Sequence, residues 1–328
     1  MSNARKLADN LPTDGQLGNR NIIINGNFTI SQRGSYTSST SVSDGTFYLD
    51  RWQYVEDGSP SSSLIHNSDG SVKITTGASV TGSSRLRQKF EYSLAPRQYD
   101  NKTFTVSAKV KSNTANARIN VYAGGYLSLT GTTAHSGGGS YETLTATFTT
   151  PSTISTEFSV HIGIDGASSA NVSITSGQYF EVKEVQMEQG SQHTPFEHEP
   201  VGVTLSKCQR YFRLSNDGSE AYQAVGNGHG HAENTSSFQT DWVWHTEMRT
   251  KPTLAVFEEG NSLGSVFVRQ DYSYFCDGVS LASGGKNGIR INLTSPNNNG
   301  GDTTFQDTLP GSVYASGTNK AWSADAEL

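Results

Sequence analysis

Two tyrosines beside paired glycines are the residues of this chain best suited to contact a sugar. Tyr122 and Tyr126 flank the two glycines of the segment VYAGGYLSLTG, residues 121–131. Glycine lets another group approach the backbone closely, and tyrosine combines an apolar ring face with a hydroxyl group. The pattern indicates a sugar contact, although ordinary strand tyrosines would show the same spacing.

A second group of candidate sugar contacts lies in polar loops of the C-terminal half. Tyr272 and Tyr274 belong to one of these loops, and Asn298 belongs to the segment PNNNGGD, residues 296–302. Tyrosine, asparagine and glycine are typical of adaptable recognition loops, and specificity often varies in loops carried by a rigid scaffold. The same composition is also found in surface loops without a binding function.

The segment YLDRWQYVED offers a third arrangement of aromatic side chains. Tyr48, Asp50, Trp52 and Tyr54 alternate along it, so they share one face of a strand. Such a face could be a sugar platform, with rings that stack on sugar C–H bonds and a carboxylate that accepts hydroxyls. Alternatively, Trp52 fills the hydrophobic core of a sandwich, and we favour this second interpretation.

Sequence motifs of common catalytic sites are missing from the chain. It contains no G-x-S-x-G, no H-E-x-x-H, no P-loop and no dinucleotide-binding glycine pattern. We therefore predict that the protein is not an enzyme. A pair of glycosidase carboxylates depends on spatial proximity, so a polysaccharide-active enzyme remains an alternative at this stage.

Charge and hydropathy exclude several classes of partner. The formal net charge is -6 and lysines and arginines do not cluster, which argues against nucleic acid and anionic membranes and favours neutral partners. Without a long apolar run, membrane insertion and a signal peptide are not expected. Cys208 and Cys276 are too few for a disulfide framework, so free thiols from synthesis in a reducing cytosol are predicted.

The elements that must position these residues are β-strands. Apolar residues alternate with polar ones in TFTVSAKVKS, LTATFTT and EFSVHIGID, the period of half-buried antiparallel strands. The strand YFEVKEVQMEQG breaks this period, and a bulge near Lys183–Glu184 would return both of its apolar pairs to the core. With only 16% charged residues and many glycines, the chain is predicted to be all-β and to form two domains.

The domain boundary is predicted near Glu199, where the segment TPFEHEP carries the chain out of the first domain. Residues 1–20 form an N-terminal segment with a short helix over Ala4–Asn10. Residues 21–199 form an antiparallel sandwich. Residues 200–328, which include the predicted strand KCQRYFRL and no helix, form a second, smaller β-sandwich-like tip domain.

Four segments resemble bacteriophage tail fibres and receptor-binding proteins that carry a carbohydrate-binding-module-like jelly roll. They are NIIINGNF, FYLDRW, the joint from Gln186 to Phe212, and the closing ADAEL. The resemblance implies a structural tail fibre protein of the virion, made in the host cytoplasm and released by lysis. It would be a homotrimer that joins the phage tail or a baseplate adaptor through its N-terminus.

Host attachment would then be adhesion through non-covalent recognition of surface polysaccharide. Two alternatives remain at this stage: a polysaccharide-active enzyme (a depolymerase) or its binding module, and a baseplate or capsid decoration protein that never contacts the host.

The resemblance also implies two metal sites. Similar jelly rolls hold a structural Ca²⁺ between their opening and closing strands, and the oxygen donors here would be Asn25, Asn27, Asp50 and Glu184.

The second site depends on the implied trimer. His229 and His231 lie two residues apart in AVGNGHGHAEN, so both point to one side of an extended chain. Three copies would offer six imidazoles to one axial transition metal. The alternative is an exposed Gly/His/Asn loop without metal.

Overall fold

The structure is a computed structural model, and it describes residues 20–94, 97–215, 224–256, 266–270, 273–297, 304–305, 310–315 and 322–328. The predicted N-terminal helix therefore lies outside the described residues. The chain divides into two compact units, the first ending at Thr204 and the second covering Leu205–Glu327. Nearly all of the regular secondary structure described in both units is antiparallel β-strand, which confirms the all-β prediction.

The first unit contains two antiparallel sheets. The sheet that we name the β7 sheet has the order β1 (Thr40–Ser41), β4 (Ser63–His66), β5 (Val72–Thr75), β12 (Tyr179–Gln189), β7 (Thr103–Ser112) and β9 (Tyr141–Thr149). The β10 sheet has the order β2 (Phe47–Leu49), β3 (Trp52–Asp57), β6 (Val80–Lys89), β10 (Phe158–Ile164) and β8 (Ala117–Ala123), and β11 (Val172–Ile174) also pairs with β6.

The core of this unit lies between the two sheets. The apolar residues predicted from strand alternation are all almost completely buried there: Phe104, Val106, Ala108, Val110, Leu144, Ala146, Phe148, Phe158, Val160, Ile162 and Ile164. The rings of Phe104 and Phe158, from opposite sheets, lie 6.3 Å apart. Alternation thus produced the predicted sandwich because each strand presents one apolar face to the other sheet.

The predicted bulge in the closing strand is confirmed. The register of β12 against β7 shifts between Lys183 and Gln186, and Glu184 has a positive φ of 53°. The extra residue restores the inward direction of the apolar pairs on both sides of it, and all four side chains are fully buried: Phe180, Val182, Val185 and Met187.

The opening segment of the first unit is held against this bulge. The amide of Val185 donates to the carbonyl of Gly26 over 2.8 Å, and the amide of Ile22 donates to the carbonyl of Met187 over 2.9 Å. The segment NIIINGNF and the closing strand are therefore neighbours in space.

The sequence analysis missed a helix, which crosses the boundary between the two units along the chain. Helix α1 covers Val201–Cys208, whereas KCQRYFRL was predicted to be a strand and only Phe212–Leu214 is one, β13. Pro200 precedes the helix, and its carbonyl accepts the amide of Val203 over 2.9 Å. The strand prediction was wrong because the first hydrogen bond of the helix is made to the carbonyl of Pro200, which lies upstream of the segment that was predicted to be a strand.

The remaining strands of the second unit form a barrel and a small sheet. The closed barrel has the order β14 (Ala224–Asn234), β15 (Ser237–Val243), β19 (Gly288–Asn297), β18 (Ser273–Gly284), β17 (Val266–Arg269) and β20 (Pro310–Ala315). The sequence predicted a β-sandwich-like tip domain, but these six strands pair into a closed barrel instead. Strands β13, β21 (Trp322–Asp325) and β16 (Thr253–Val256) form a separate three-stranded sheet.

Two further properties of the described residues concern the cysteines and the helices. Cys208 and Cys276 are both buried, and neither forms a disulfide bond with another described residue. None of the described helices has the length and hydropathy needed to span a membrane.

Candidate functional site

Tyr122 and Tyr126 form an aromatic pair at the edge of the β10 sheet. Strand β8 ends at Ala123, and Gly124 follows with a φ of 74°, a conformation that glycine adopts without strain. The chain turns back there, because the amide of Leu127 donates to the carbonyl of Val121 over 2.9 Å. The two tyrosine rings consequently lie 5.2 Å apart with an interplanar angle of 81°.

These tyrosines continue a surface made by the side of the β10 sheet that faces away from the core. Strand alternation places polar side chains on that side, and we name this surface the polar face. Strand pairing sets His161 opposite both Arg87 and Asn120, and sets Ser159 opposite both Lys89 and Tyr122. Its outward residues are Gln53, Val55, Asp57, Ser83, Arg85, Arg87, Lys89, Arg118, Asn120, Tyr122, Ser159, His161 and Gly163.

A hydrogen-bonded chain runs along β10 at the centre of the polar face. The hydroxyl of Ser159 donates to Glu157 Oε1 over 2.7 Å and lies 2.9 Å from His161 Nε2. Because the serine proton goes to the glutamate, the imidazole must donate from Nε2. Its Nδ1 is then a bare acceptor, and this buried atom has no hydrogen-bond partner among the described residues.

The surroundings of His161 favour the neutral form of its imidazole. Burial lowers its pKa well below the ordinary value of 6.5, and the cations Arg85, Arg87 and Lys89 lower it further. The ring of Tyr126 packs edge to face with the imidazole at a centroid distance of 5.9 Å. At the centre of the polar face, the imidazole of His161 is therefore in contact with the aromatic pair.

Ion pairs hold most charged side chains of the polar face in place. Lys89 Nζ lies 3.1 Å from Glu157 Oε2, and Arg87 Nη1 lies 3.6 Å from Glu157 Oε1. Burial raises the pKa of Glu157, but hydrogen bonds from Ser159 and Lys89 outweigh it and leave the pKa below its usual value. Arg87, Lys89 and Glu157 each keep between 21 and 25% of their side-chain surface exposed, so solvent reaches this part of the face.

A second set of ion pairs joins Arg85 to one exposed and one buried carboxylate, Asp57 and Asp165. Arg85 lies 2.9 Å from Asp57 Oδ2 and 3.1 Å from Asp165 Oδ2. The amide of Asn120 donates to the same oxygen of Asp165 over 2.8 Å. Burial raises the pKa of Asp165, which the neighbouring Arg85 and Asn120 oppose.

The alternative sugar platform around Trp52 is wrong, and the favoured core position of this residue is confirmed. Trp52 is 1% exposed, and its indole N–H donates to the carbonyl of Asn25 over 3.0 Å. Asp50 and Tyr54 are also fully buried. A sugar ring has no access to these side chains.

The loop candidates of the second unit fall largely outside the described residues. Tyr272 and Asn298 are among the residues that the structure does not describe, and Tyr274 belongs to β18 without a described side chain. Their role in sugar contact stays a prediction.

The predicted histidine pair lies on the surface of the barrel. His229 and His231 are both exposed on β14, and His229 Nδ1 lies 3.4 Å from the hydroxyl of Ser312. Within the part of the chain that the structure describes, no group of three or more His, Cys, Asp or Glu side chains could hold a metal ion. A site shared between three copies stays a prediction.

The predicted calcium donors already bind protein groups. Asn25 Oδ1 accepts the amide of Ile30 over 3.0 Å, and Asp50 accepts two hydrogen bonds from Gln32. Glu184 forms an ion pair with Lys109 at 2.7 Å, and Asn27 Oδ1 accepts the hydroxyl of Thr29 over 3.2 Å. The structure brings Asn25 and Asp50 together through a 3.0 Å hydrogen bond to the Asp50 carbonyl. Calcium binding stays a prediction.

Sequence reasoning missed the centre of the polar face. Ser159 and His161 are the polar members of EFSVHIGID, whose apolar members were assigned to the core. A detectable signal was present, because the outward positions of β6 carry three cations in succession: Arg85, Arg87 and Lys89.

Comparisons with known proteins found similarity only to solved structures. No family model matches the chain, and no curated protein matches it. A carbohydrate-binding module described as CBM4 is 15% identical, with 51% of this chain and 98% of that chain covered and a TM-score of 0.30. A family 11 carbohydrate-binding module of a cellulosomal cellulase from Clostridium thermocellum is 13% identical, with coverages of 49% and 100% and a TM-score of 0.29.

A family 29 carbohydrate-binding module mutant complexed with mannohexaose is 10% identical, with coverages of 46% and 91% and a TM-score of 0.28. At such TM-scores, the assignment of the fold rests on the strand pairing of the chain itself.

Proposed function

We propose that this chain is a phage tail fibre protein that attaches the virion to its host by non-covalent recognition of surface glycans. The observation that supports this proposal is the polar face, where the edge-to-face tyrosine pair adjoins the partly exposed side chains of Arg87, Lys89 and Glu157, which can bind hydroxyl groups. Edge-to-face packing covers at most one face of each ring, which leaves ring surface for a sugar.

The chemistry of the polar face supports binding more than hydrolysis. Glycoside hydrolysis needs a carboxylic acid that stays protonated to serve as the general acid. Glu157, the carboxylate nearest the tyrosine pair in the strand register, has a lowered pKa and is bound by Lys89 and Arg87. Asp165 has a raised pKa, but its side chain is 1% exposed and is held by Arg85. Reversible adsorption is therefore the proposed mechanism.

If each sugar contact is weak, attachment to the host would be stronger in an assembly that contains several copies of the chain. The resemblance of NIIINGNF, FYLDRW and ADAEL to phage fibres motivates a homotrimer in the virion tail, joined to the tail or a baseplate adaptor through residues 1–20. Linked copies raise the avidity of individually weak contacts without new interactions. Mass photometry of the purified chain tests the assembly, and a monomer at all concentrations would contradict it.

The binding function is tested with Tyr126→Ala. We expect this variant to lose retention on an array of bacterial surface glycans while its melting temperature stays unchanged, because Tyr126 is half-buried at a sheet edge. Tyr141→Ala is the matched control: Tyr141 is 37% exposed and lies on the outward side of the other sheet.

Retention that survives Tyr126→Ala would refute the role of the aromatic pair. Loss of retention in Tyr141→Ala alone would move the binding surface to the β7 sheet.

A further inference from the structure

Arg118 is a cation of the polar face whose guanidinium has no partner among the described residues. It lies on β8, on the same side of the strand as Asn120 and Tyr122. Within the described parts of the chain, it makes no hydrogen bond, ion pair or ring contact, and its Nε is buried without a partner. A buried N–H group without a hydrogen-bond partner is costly to maintain.

The other three cations of the polar face are all neutralised. Arg85 is paired with Asp57 and Asp165, and Arg87 and Lys89 share Glu157. The polar face therefore has four cations and three carboxylates that pair with them, and the cation without a carboxylate is Arg118. This local excess is positive, although the whole chain has a formal charge of -6.

The cross-strand neighbours of Arg118 carry no group that could pair with its guanidinium. Arg118 pairs with Gly163 on one side and forms an isolated bridge with Ala134 on the other. Neither residue has a side chain that can bind a guanidinium or cover it. The nearest carboxylate of the polar face in strand register, Asp165, already accepts Arg85 and Asn120.

Arg118 also lies at a useful distance from the aromatic pair. Four residues of a strand separate it from Tyr122, which corresponds to about 13 Å at the rise of an extended chain. That span exceeds one sugar ring, so a ligand that reaches both must be an oligosaccharide. A guanidinium selects a carboxylate because its parallel N–H groups match the two oxygens.

We propose that the ligand of the polar face is an acidic oligosaccharide, whose carboxylate binds Arg118 while a neighbouring sugar ring stacks on the Tyr122–Tyr126 pair. This inference rests on the proposed glycan-binding function and specifies its substrate class. It replaces the neutral partner that the overall charge suggested.

The first test compares acidic glycans with their neutral counterparts. The probes are polygalacturonate, alginate, hyaluronate and sialylated oligosaccharides, each in native form and after reduction of its carboxylates to alcohols. We expect the full chain to be retained by at least one native glycan and to bind the reduced form about tenfold more weakly, because a charge-assisted hydrogen bond is lost.

Substitution of Arg118 provides the second test. Arg118→Gln should reduce the preference for the native glycan about tenfold. Arg118→Lys should keep part of this preference, because lysine retains the positive charge but lacks the two parallel N–H groups of the guanidinium. Lys109→Gln is the control: it makes the same change in net charge on the outward side of the β7 sheet. The melting temperature of each variant shows whether folding is preserved.

The outcomes separate this inference from the function on which it rests. Equal binding of native and reduced glycans, or a preference for native glycan that survives Arg118→Gln, would overturn the acidic ligand and leave glycan binding intact. Absence of binding to any glycan, neutral or acidic, would overturn both.

Discussion

Replacement of Gly26 by alanine tests how the opening segment is held against the closing strand. A Cβ built on Gly26 would lie 2.0 Å from the carbonyl oxygen of Val185. Ordinary van der Waals contact begins at 3.4 Å, so the two groups would have to separate by 1.4 Å, the difference between these distances. The obstacle is backbone, which cannot rotate away as a side chain can.

The expected loss of stability follows from the contacts that this separation breaks. The amide of Val185 donates to Gly26 over 2.8 Å, and the next contact joins Ile22 to Met187 over 2.9 Å. A buried donor left unsatisfied costs about 1–3 kcal/mol, and overpacking costs about 1–3 kcal/mol. We expect Gly26→Ala to destabilise the first unit by about 3–5 kcal/mol, which lowers the melting temperature of a unit of this size by about 10 °C.

Differential scanning calorimetry measures the effect, and Gly125→Ala is the control. Nothing lies within 4 Å of a Cβ built on Gly125, and its φ is not positive. This second variant should melt at the same temperature as the unchanged chain or slightly above it, since alanine reduces the entropy of the unfolded state. If both variants melt alike, the close approach of Gly26 to Val185 does not hold the opening segment.

Two further predictions concern buried residues of the first unit. Trp52→Ala should destabilise this unit by about 3–5 kcal/mol because the indole is 1% exposed, and calorimetry measures the loss; weaker glycan retention at an unchanged melting temperature would instead place Trp52 in a binding site. Stability should also fall as the pH drops below about 6.5, because the unfolded His161 takes up a proton there while the folded imidazole, with its lowered pKa, stays neutral. His161→Gln should flatten part of that dependence in melting curves from about pH 8 to about pH 5, and His66, whose pKa burial also lowers, should account for part of the remainder; an unchanged slope in His161→Gln would contradict the lowered pKa.

Strand alternation and its interruption were readable from the sequence because each depends on residues close together in the chain. The apolar positions of β7, β9 and β10 follow directly from a period of two. The bulge in β12 was predictable because Phe180 and Val182 are out of phase with Val185 and Met187. In contrast, helix α1 was missed, because the apolar pattern of KCQRYFRL fits a strand and the helix begins upstream of that segment, at Val201.

The polar face could not be derived from the sequence, because its members come from strands that are distant in the chain. Gln53, Arg87, His161 and Asn120 become one row only through the registers of three strand pairings. The tyrosine pair was a partial exception, since Gly124 and Gly125 indicated a turn between its members. Tyr126 was recognised as a candidate contact, but its imidazole neighbour was not.

The sequence by itself determined the all-β class, the inward residues of the first unit and the bulge in its closing strand, because local periodicity and composition decide these properties. Only the tertiary structure decided which charges neutralise one another. Burial and strand register pair three cations of the polar face with carboxylates and leave Arg118 without one in the part of the chain that the structure describes. A chain of net negative charge thus presents a locally positive surface beside its aromatic pair, since Coulomb interactions at short range depend on position and not on the total charge.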